Sequence, residues 1–395
     1  MKHFSFAELA LPPPGSLVAV AMSGGVDSSL TALLMADRGC RIIGVSMVMY
    51  DRSLQFPEGG GKGCYGPFSE ENEDNCRRLC KELGGEYHLI DLALPYKREV
   101  MDYFRNEYLA GRTPNPCLQC NPAIKFGLLP DGLRSKGINF DYFVTGHYAR
   151  LFAFQDEASS GDVSRGVYLA PGIDLSKDQS YFLQRLSQKQ LAQSRFPLGS
   201  MTKAEVRKLA LEKGLTSAEK KDSQDFLYKE DFDTIFASLP VHDGEIVHAG
   251  GKVLGKHKGI IRYTIGQRRG LGVSLGPEPL YVTAIDPEKN EVIAGPEIDL
   301  FTSELKAHSP IWAPGFGTEP FRAWVKIRLA SVPSSAWVYP LPNNEVRVEF
   351  DEAQRAIAPG QSTAFYVPFP GTQITDNIDD IGRQNTIIAG GAVIK

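Results

Sequence analysis

The sequence has no apolar run long enough to cross a lipid bilayer. Its longest apolar stretch, around residues 42–50, is less than half of the roughly 20 residues that a membrane-spanning helix needs. The first fifteen residues also lack the continuous apolar core of a secretory signal peptide. We therefore expect a cytoplasmic protein that does not associate with a membrane.

Cysteine is scarce, with six residues in a chain of 395, and none follows Cys120. Thiols in the cytoplasm stay reduced, so a structural disulfide is not expected. Two of the cysteines, Cys117 and Cys120, stand three positions apart in GRTPNPCLQCNPAIKF (residues 111–126), which we interpret as a polar turn between prolines. This spacing favours catalysis or metal binding without choosing between them.

The chain also lacks an excess of basic residues, since its formal net charge is −4. A basic patch can still exist within an acidic total. Residues 252–269 carry six basic residues and no acidic one: Lys252, Lys256, Lys258, Arg262, Arg268 and Arg269. With Tyr263 available to pack against a base or sugar, this segment is expected to bind RNA phosphates, whereas His257 is interpreted as structural.

Strands and helices alternate up to about residue 150. Strands are predicted at 16–22, 41–50, 86–92 and 139–149, and helices at 28–39, 69–85 and 96–111. This order predicts an α/β fold with a doubly wound parallel sheet. Ligands of such sheets bind at the carboxyl ends of the strands. Two more helices are predicted at 179–193 and 203–214.

From about residue 240, glycine, proline and short β-rich segments dominate the sequence. Strands at this spacing predict a small β-rich domain followed by a β-barrel. We therefore predict three domains: an α/β domain over 1–215, a central β-rich domain over 216–282 that contains the basic segment, and a C-terminal β-barrel domain over 283–395.

The most specific motif is AMSGGVDSS, at residues 21–29, which leaves a buried strand and enters a helix. Ser23, Gly24 and Gly25 allow the backbone to approach an anion closely, and the helix adds the positive end of its dipole. Asp27 lies in the first helical turn, where it can hold a Mg²⁺ ion bound to phosphates. The motif therefore predicts a site for ATP and Mg²⁺.

The SGGxDS pattern resembles the loop of the PP-loop ATP pyrophosphatases, which implies that ATP is split between its α- and β-phosphates. Longer blocks occur in a fixed order along the chain: GRTPNPCLQCNPAIKF, VTGHYAR (144–150), DLSKDQSYFL (174–183), FPLG (196–199), LGKHKGIIRYTIGQRRGLG (254–272) and APGQSTAFY (358–366). Together they resemble the tRNA-specific 2-thiouridylase family, from about residue 16 to the end.

This resemblance implies that the protein binds tRNA and adenylates O2 of the wobble uridine. A sulfur nucleophile then displaces AMP and leaves 2-thiouridine, and the base must leave the stack to be reached. ATP would lie on Ala21, Met22, Ser23, Gly24, Gly25, Val26, Asp27 and Ser28, near Met47 and Gly146. Cys120 would be the nucleophile, with Asn115, Pro116 and Cys117 against the target base. The residues contacting tRNA would be His147, Lys177, Asp178, Gln179, Arg328 and Gln361, in addition to Arg268 and Arg269 of the basic segment.

The sequence departs from the family pattern at two places. Leu227, in KKDSQDFLY (220–228), replaces a sulfur-handling cysteine, and Cys117 stands where many members have aspartate. A leucine forms neither a thiolate nor a persulfide, so the usual two-cysteine relay is broken. We predict that Cys117 and Cys120 act as a pair of thiolates. They either share a persulfide or ligate an iron–sulfur cluster that takes free sulfide.

The remaining cysteines are the candidates for a third ligand of such a cluster. Cys64 lies in a glycine-rich loop that could reach the active site. Cys76 and Cys80 are interpreted as packed residues on one helix face, and Cys40 as buried. The sulfur donor would be a persulfide carrier or free sulfide.

Two alternatives to thiolation remain open. The first is a divergent paralogue that adenylates an RNA base but uses iron–sulfur or free-sulfide chemistry on another target. The second is a catalytically inactive RNA-binding relative. The intact SGGVDS loop argues against the second, because a protein that has lost catalysis does not need an ATP loop.

Overall fold

A five-stranded parallel sheet forms the first half of the protein. The computed structural model describes residues 4–58, 60–61, 63–67, 69–156, 166–217, 226–369 and 386–395. The strands of this half are β1 (Phe4–Glu8), β2 (Leu17–Ala21), β3 (Arg41–Val48), β4 (Glu86–Asp91), β5 (Tyr142–Val144), β6 (Ala149–Asp156), β7 (Val167–Pro171) and β8 (Ser194–Arg195). The parallel sheet has the order β4-β3-β2-β5-β8, and β1, β6 and β7 form a separate antiparallel sheet. The predicted doubly wound α/β fold is confirmed.

Helices cover the sheet. They are α1 (Val26–Asp37), α2 (Glu70–Glu82), α3 (Ala93–Tyr96), α4 (Asp102–Leu109), α5 (Pro116–Cys120), α6 (Leu129–Ser135), α7 (Ser180–Leu183), α8 (Gln188–Gln193), α9 (Lys203–Glu212) and, after the sheet, α10 (Phe232–Phe236). Two π-helical segments, Lys97–Met101 and Asn121–Leu128, join α3 to α4 and α5 to α6. The helix predicted over 179–193 is two helices, because Ser187 forms a capping box with Gln190 and starts a new one.

The cysteine pair lies on a helix, so the predicted polar turn is wrong. Asn115 caps α5 by accepting a hydrogen bond from the Cys117 N–H at 3.2 Å. Pro116 occupies the first helical position, where its missing N–H costs nothing, and Pro122 lies at the start of the π segment. The prolines that were interpreted as turn signals therefore begin helical segments instead.

Burial on both faces explains why the central strands are continuously apolar. Val18, Ala19 and Val20 of β2 have no exposed surface. Ala19 packs in the large core that contains Val45 and Phe143, whereas Val18 and Val20 pack on the other face with Cys76 and Cys80. This packing confirms the interpretation of Cys76 and Cys80 as core residues, and Cys40 is buried in the same cluster.

The second half is built mainly from β-structure, as predicted. The central unit contains β9 (Gly244–His248), β10 (Val253–His257), β11 (Tyr281–Asp286) and β12 (Glu291–Gly295), in the order β10-β9-β12-β11. The barrel strands are β13 (Phe301–Trp312), β14 (Phe321–Lys326), β15 (Ser334–Leu341), β16 (Glu345–Arg355), β17 (Ser362–Pro368) and β18 (Thr386–Ile394). They close in the order β13-β16-β15-β14-β17-β18.

The central sheet extends past the predicted boundary after residue 282. That boundary falls within β11, whose pairing with β12 ties it to the central unit. The sequence does not show this because β12 pairs in parallel with β9, across a long separation in the chain. The last strand of the central sheet ends at Gly295.

The barrel is attached next to the cysteine helix. The Thr113 N–H donates to the Pro359 carbonyl at 2.8 Å, and Gln361 Nε2 donates to the Thr113 carbonyl at 2.8 Å. Phe152 and Tyr168, from β6 and β7, pack in the same core as the barrel strands. The barrel therefore sets the position of the segment that leads into α5.

Candidate nucleotide and thiol site

The phosphate loop lies between the end of β2 and the start of α1. The Ser28 hydroxyl accepts a hydrogen bond from the Ser23 N–H at 3.1 Å and lies 3.3 Å from the Ser23 hydroxyl. Gly24 has a φ of +78°, and a Cβ there would lie 2.8 Å from Cβ of Asn72 in α2. Only glycine satisfies both the backbone conformation and the close approach of α2.

A second element of the site follows β5, the neighbour of β2 on the side where the strand order reverses. In a doubly wound sheet this reversal opens a crevice at the carboxyl ends of the strands. A Cβ at Gly146 would lie 2.9 Å from the backbone carbon of Asp27, so the turn after β5 touches the phosphate loop directly. The two loops thereby form one wall.

Asp27 is the most strongly bonded side chain of the loop. Lys203 Nζ lies 2.8 Å from each of its carboxylate oxygens, and the Tyr148 hydroxyl donates to one of them at 2.8 Å. The Asp27 side chain is 30% exposed and that of Lys203 is 10% exposed. An ammonium group therefore lies beside the carboxylate that we predicted to hold a cation.

Sequence reasoning missed Lys203 and Tyr148 as members of this site. One signal was available, because Lys203 is the first residue of α9, where the positive end of the helix dipole disfavours a cation. A buried lysine at that position needs a carboxylate partner, and Asp27 provides it.

The loops enclose a cavity of about 230 Å³. Of the predicted ATP-binding residues, those that line it are Ala21, Met22, Ser23, Asp27, Ser28, Met47 and Gly146. Gly24, Gly25 and Val26 belong to the loop but do not line the cavity. Other lining residues include Cys64, Lys125, Thr145, His147 and Gln179. The structure thus brings together residues from β2, β3, the turn after β5 and the helical segment after Cys120.

His147 is buried in this wall. Its Nδ1 atom is hydrogen-bonded to the Thr145 hydroxyl at 2.7 Å, and its ring packs between Phe126 and Phe196. Burial, reinforced by the nearby Lys125 ammonium, holds the pKa of His147 well below its ordinary value. The imidazole is therefore neutral, and it faces the cavity wall rather than an open surface.

The residues Lys177, Asp178 and Gln179 have three different environments. Asp178 keeps part of its surface accessible, but its carboxylate accepts bonds from the Gly172 and Ser180 N–H groups and from the Ser180 hydroxyl. Gln179 Oε1 accepts from the Tyr148 N–H at 3.0 Å and lines the cavity. Lys177 is half-buried in the turn that precedes them. Asp178 therefore shapes the loop, while Gln179 borders the nucleotide cavity.

The thiols of Cys117 and Cys120 are free and share one face of α5. Both residues are partly accessible, yet the surrounding protein removes water from the sulfur atoms. Burial raises the pKa of Cys117 to about 12 and that of Cys120 to about 11. Lys125 acts in the opposite direction on both. The predicted pair of thiolates is therefore wrong for the resting protein, in which both groups are protonated thiols.

The structure does not support the predicted iron–sulfur site. Among the residues that the structure describes, no group of three or more cysteine, histidine, aspartate or glutamate side chains is arranged to hold a metal ion. Leu227 is half-buried against the main core, and residues 220–225 of its block lie outside the described residues. Cys117 and Cys120 are thus assigned as thiols.

The basic segment lies on the central unit and is only partly available. Lys258 and Arg262 form ion pairs with Asp243 at 2.9 Å and with Asp233 at 2.7 Å. The remaining basic side chains of the segment are exposed: Lys252, Lys256, Arg268 and Arg269. These four define the basic surface.

The expectation that Tyr263 packs against RNA is wrong. Tyr263 is 8% exposed and contacts His257 in the core of the central unit. His257 is buried, and its Nδ1 accepts from the Gly259 N–H at 3.0 Å, as expected for a structural histidine. The contact between the buried rings of His257 and Tyr263 fixes the position of the basic segment.

The two predicted tRNA contacts of the barrel lie on segments other than the one that carries the basic surface. Arg328 is half-buried in the turn after β14, where its carbonyl accepts from the Ser331 hydroxyl at 2.9 Å. Gln361 uses its amide to hold Thr113, as described above, two residues before Asn115.

A larger cleft, of about 520 Å³, lies between α4, α5 and the barrel. Asn115 and Gln119 face it together with Arg185, His308 and Lys395. It contains no residue of the phosphate loop, so we assign the chemistry to the smaller cavity.

Three family models match the chain in succession. They are the tRNA methyl transferase HUP domain over residues 16–230, the tRNA methyl transferase PRC-barrel domain over 233–296 and the aminomethyltransferase beta-barrel domain over 302–375. The tRNA-specific 2-thiouridylase MnmA of Endomicrobium trichonymphae is 39% identical over 95% of this chain and 98% of its own length. The chain belongs to the MnmA family of tRNA-specific 2-thiouridylases.

Other MnmA relatives give the same result. Those of Geobacter metallireducens and Magnetococcus marinus are each 41% identical over 88% of this chain, and they are covered over 93% and 95% of their lengths. Among solved structures, a 4-thiouridine synthetase–RNA complex with bound ATP aligns with 54% of this chain and 45% of its own. Its sequence identity is 16% and the TM-score is 0.31, which is too low to support an inference. No helix in the described part of this MnmA-family chain is long and apolar enough to cross a membrane.

Proposed function

We propose that this protein is an ATP-dependent tRNA-uridine 2-sulfurtransferase. It adenylates O2 of the wobble uridine and then replaces that oxygen with sulfur, releasing AMP. The observation that carries the proposal is the shared cavity, because its lining joins the phosphate loop to Lys125, in the helical segment that directly follows Cys120. A nucleotide and a target base placed there would meet within reach of the thiols.

The loop residues would bind ATP through backbone N–H groups and the positive end of α1. Asp27 fits the need for a single carboxylate beside a Mg²⁺ ion held mainly by nucleotide phosphates. When bound, that ion neutralises charge on the phosphates. Lys203 keeps Asp27 aligned before binding and adds a positive charge at the same end of the cavity.

Thiolation explains these residues better than the methyl transfer named in two of the family models. An ATP pyrophosphatase loop activates an acceptor oxygen for displacement, which methyl transfer to a base does not require. A displaced adenylate does need a sulfur nucleophile, and Cys64 lines the same cavity as the loop. The MnmA relatives, which match 95% and 88% of this chain, are named for thiolation.

Under this proposal, the chemistry and the binding of tRNA are assigned to different structural units. The unit that contains the parallel sheet, up to about residue 231, carries the chemistry. The central unit, up to Gly295, and the barrel after it would hold the tRNA. Phosphates would contact the basic surface, while Asn115 and Pro116 would lie against the target base. His147, Lys177, Asp178 and Gln179 would shape the approach, and Arg328 and Gln361 would contact the RNA from the barrel.

The test is a reconstitution with the full chain. Unmodified tRNA, ATP, Mg²⁺ and a persulfide donor should yield 2-thiouridine and AMP, detected by mass spectrometry of nucleosides and by nucleotide chromatography. A deletion strain should lose wobble 2-thiouridine from its tRNA. Normal wobble thiolation in that strain, together with no tRNA-dependent AMP in vitro, would overturn the proposal.

A further inference from the structure

Cys64 lines the nucleotide cavity, as Asp27 does, although the two residues belong to different segments of the chain. It is exposed, unlike Cys40, Cys76 and Cys80. The cavity lining contains Cys64 together with Lys125, which acts electrostatically on both thiols of α5. Three thiols therefore converge on one region, whereas the two-cysteine relay of the family pattern uses Cys120 and a cysteine at the position of Leu227.

The residue after Cys64 anchors it to the protein. Tyr65 is 1% exposed, and its ring stacks on Tyr96 with a centroid distance of 5.6 Å and an angle of 9°. Its hydroxyl donates to Asp51 at 3.1 Å. Earlier in the loop, the Gly61 N–H donates to the Asp231 carboxylate, 3.0 and 3.1 Å from its two oxygens. Cys64 is thus held between two buried attachments.

Tyr96 connects this loop to the nucleophile. It is fully buried, and its hydroxyl forms a hydrogen bond with the thiol of Cys120. Negative charge on Cys64 raises the pKa of both Cys117 and Cys120. Such coupling requires that the sulfur atoms lie close enough to interact through the protein interior.

The same loop lies against the segment that lacks the expected cysteine. The Tyr65 N–H donates to the Phe226 carbonyl at 3.4 Å, and Phe226 immediately precedes Leu227. Leu227 turns an apolar side chain into the core. Cys64 directly precedes Tyr65. The loop therefore carries a thiol next to the residue that is hydrogen-bonded to the Phe226–Leu227 segment, which has none.

We propose that Cys64 is the persulfide-carrying cysteine of this enzyme and that Cys120 forms a disulfide with it to release the product. This inference rests on the proposed thiolation and goes further by assigning the missing thiol. Exposure suits Cys64 for loading by a donor protein, while the less accessible Cys120 is suited to act after the base has entered.

The steps balance as follows. A persulfide donor transfers its terminal sulfur to Cys64 and leaves as a thiol. The terminal sulfur of the Cys64 persulfide, as an anion, bonds to C2 of the adenylated uridine, and the C2–O bond breaks to release AMP. Cys120 then attacks Sγ of Cys64 as a thiolate, forming the Cys64–Cys120 disulfide, and the proton that its thiol gives up is taken up by the released 2-thiouracil ring. The electron pair of the broken S–S bond remains on the sulfur attached to C2, and a dithiol reductant later restores both thiols.

The first measurement requires only the full-length protein. After treatment with a small-molecule persulfide and alkylation, peptide mass spectrometry should find one extra sulfur atom on the Cys64 peptide ahead of those of Cys117 and Cys120. During turnover with ATP and tRNA, a disulfide-linked peptide pair of Cys64 and Cys120 should accumulate when reductant is omitted. Sulfur loading does not depend on ATP or tRNA, so it tests Cys64 even if the proposed reaction fails.

Variants complete the test. Cys64→Ser should reduce persulfide-dependent thiolation by about 100-fold or more, because serine cannot carry a sulfane sulfur. The double variant Cys64→Ser/Leu227→Cys should recover activity, since it places a thiol in the adjacent segment that is hydrogen-bonded to Tyr65 through Phe226. Cys40→Ser, in the core away from the cavity, serves as the matched control and should retain activity.

Three results would overturn the inference. The first is normal thiolation by Cys64→Ser, and the second is a Cys117–Cys120 disulfide as the accumulating species. The third is iron with labile sulfide in anaerobically purified protein that thiolates tRNA from free sulfide. Each leaves tRNA-dependent AMP release intact and so differs from a failure of the proposed function, in which AMP release itself is absent.

Discussion

The site has a nucleotide half, formed by the phosphate loop and the turn after β5, and a sulfur half, formed by the segments that carry Cys64, Cys117, Cys120 and Leu227. The two halves are built in different ways. In the nucleotide half, backbone conformation is decisive: Gly24 and Gly146 stand where any side chain would collide with Asn72 or Asp27. In the sulfur half, side chains carry the chemistry, and the family resemblance implies a cysteine at the position that Leu227 occupies here. A loop that holds phosphates with its backbone tolerates little change, whereas a thiol can be supplied from another segment that reaches the same cavity.

The largest effect in the comparison of the two halves is expected from removing the carboxylate of Asp27 in the phosphate loop. Asp27→Asn should lower tRNA-dependent AMP release by about 10²- to 10³-fold, the range measured for losing one group that stabilises a transition state electrostatically. Asp37→Asn is the matched control, because Asp37 ends the same helix and pairs with Lys213 at 2.8 Å on the surface. Equal activity of the two variants would show that the loop carboxylate has no special role.

The sulfur half should respond to pH in a way that the nucleotide half does not. With a pKa of about 11, the thiolate fraction of Cys120 should rise about tenfold per pH unit from about pH 7 to pH 10, and its alkylation rate with it. Peptide-resolved alkylation of the protein without substrates measures this. A rate that is already constant above pH 7 would show a thiolate at rest.

The raised pKa of Cys120 also makes the free energy of unfolding depend on pH. The folded pKa of Cys120 lies above the ordinary value of 9.0, so the folded state holds its proton more tightly than the unfolded state. This contribution to the free energy of unfolding is fully present below pH 9 and is lost as the pH rises towards 11. Cys120→Ala should flatten the alkaline part of the stability curve.

The buried partner of Asp27 should matter for both stability and catalysis. Lys203→Met leaves a carboxylate without its cation and should cost about 2 kcal/mol in the free energy of unfolding, since breaking a largely buried pair is expensive. Lys213→Met removes the exposed partner of Asp37 and should cost less than about 0.5 kcal/mol. Denaturant unfolding compares the two, and similar losses would contradict the role assigned to Lys203.

The smallest expected effect concerns the RNA surface. Arg268→Glu with Arg269→Glu should weaken tRNA binding by about tenfold and lower the salt dependence by about two counterions, because the contacts are to phosphates. Lys258→Ala with Arg262→Ala, which removes cations that already have acidic partners, should change binding less. Affinity that does not vary with salt would place the tRNA elsewhere.

The parts of the fold that local patterns determine could be predicted from the sequence. The buried strand β2, the loop SGGVDS and the helix after it follow from residues that are adjacent in the chain. The fold class and the β-rich second half followed from periodicity and turn residues in the same way. The resemblance then added residues of the cavity lining, such as Met47 and Gly146.

The parts that depend on distant contacts could not be predicted. Lys203 and Asp27 are 176 positions apart, and no local feature links them. Tyr263 resembles an RNA-stacking residue in sequence, yet the core of the central unit buries it. The anchoring of Cys64 depends on Tyr96 and Phe226, from two other segments, so its position beside the thiols required the folded chain.

The central claim is that ATP activation and sulfur delivery act on the same uridine within one cavity. The most direct test is to measure AMP and 2-thiouridine together in a single turnover of the full chain with unmodified tRNA, ATP and a persulfide donor. The account predicts that the two products form in equal amounts and that Cys120→Ala abolishes 2-thiouridine. Formation of 2-thiouridine without AMP, or undiminished 2-thiouridine in Cys120→Ala, would contradict it.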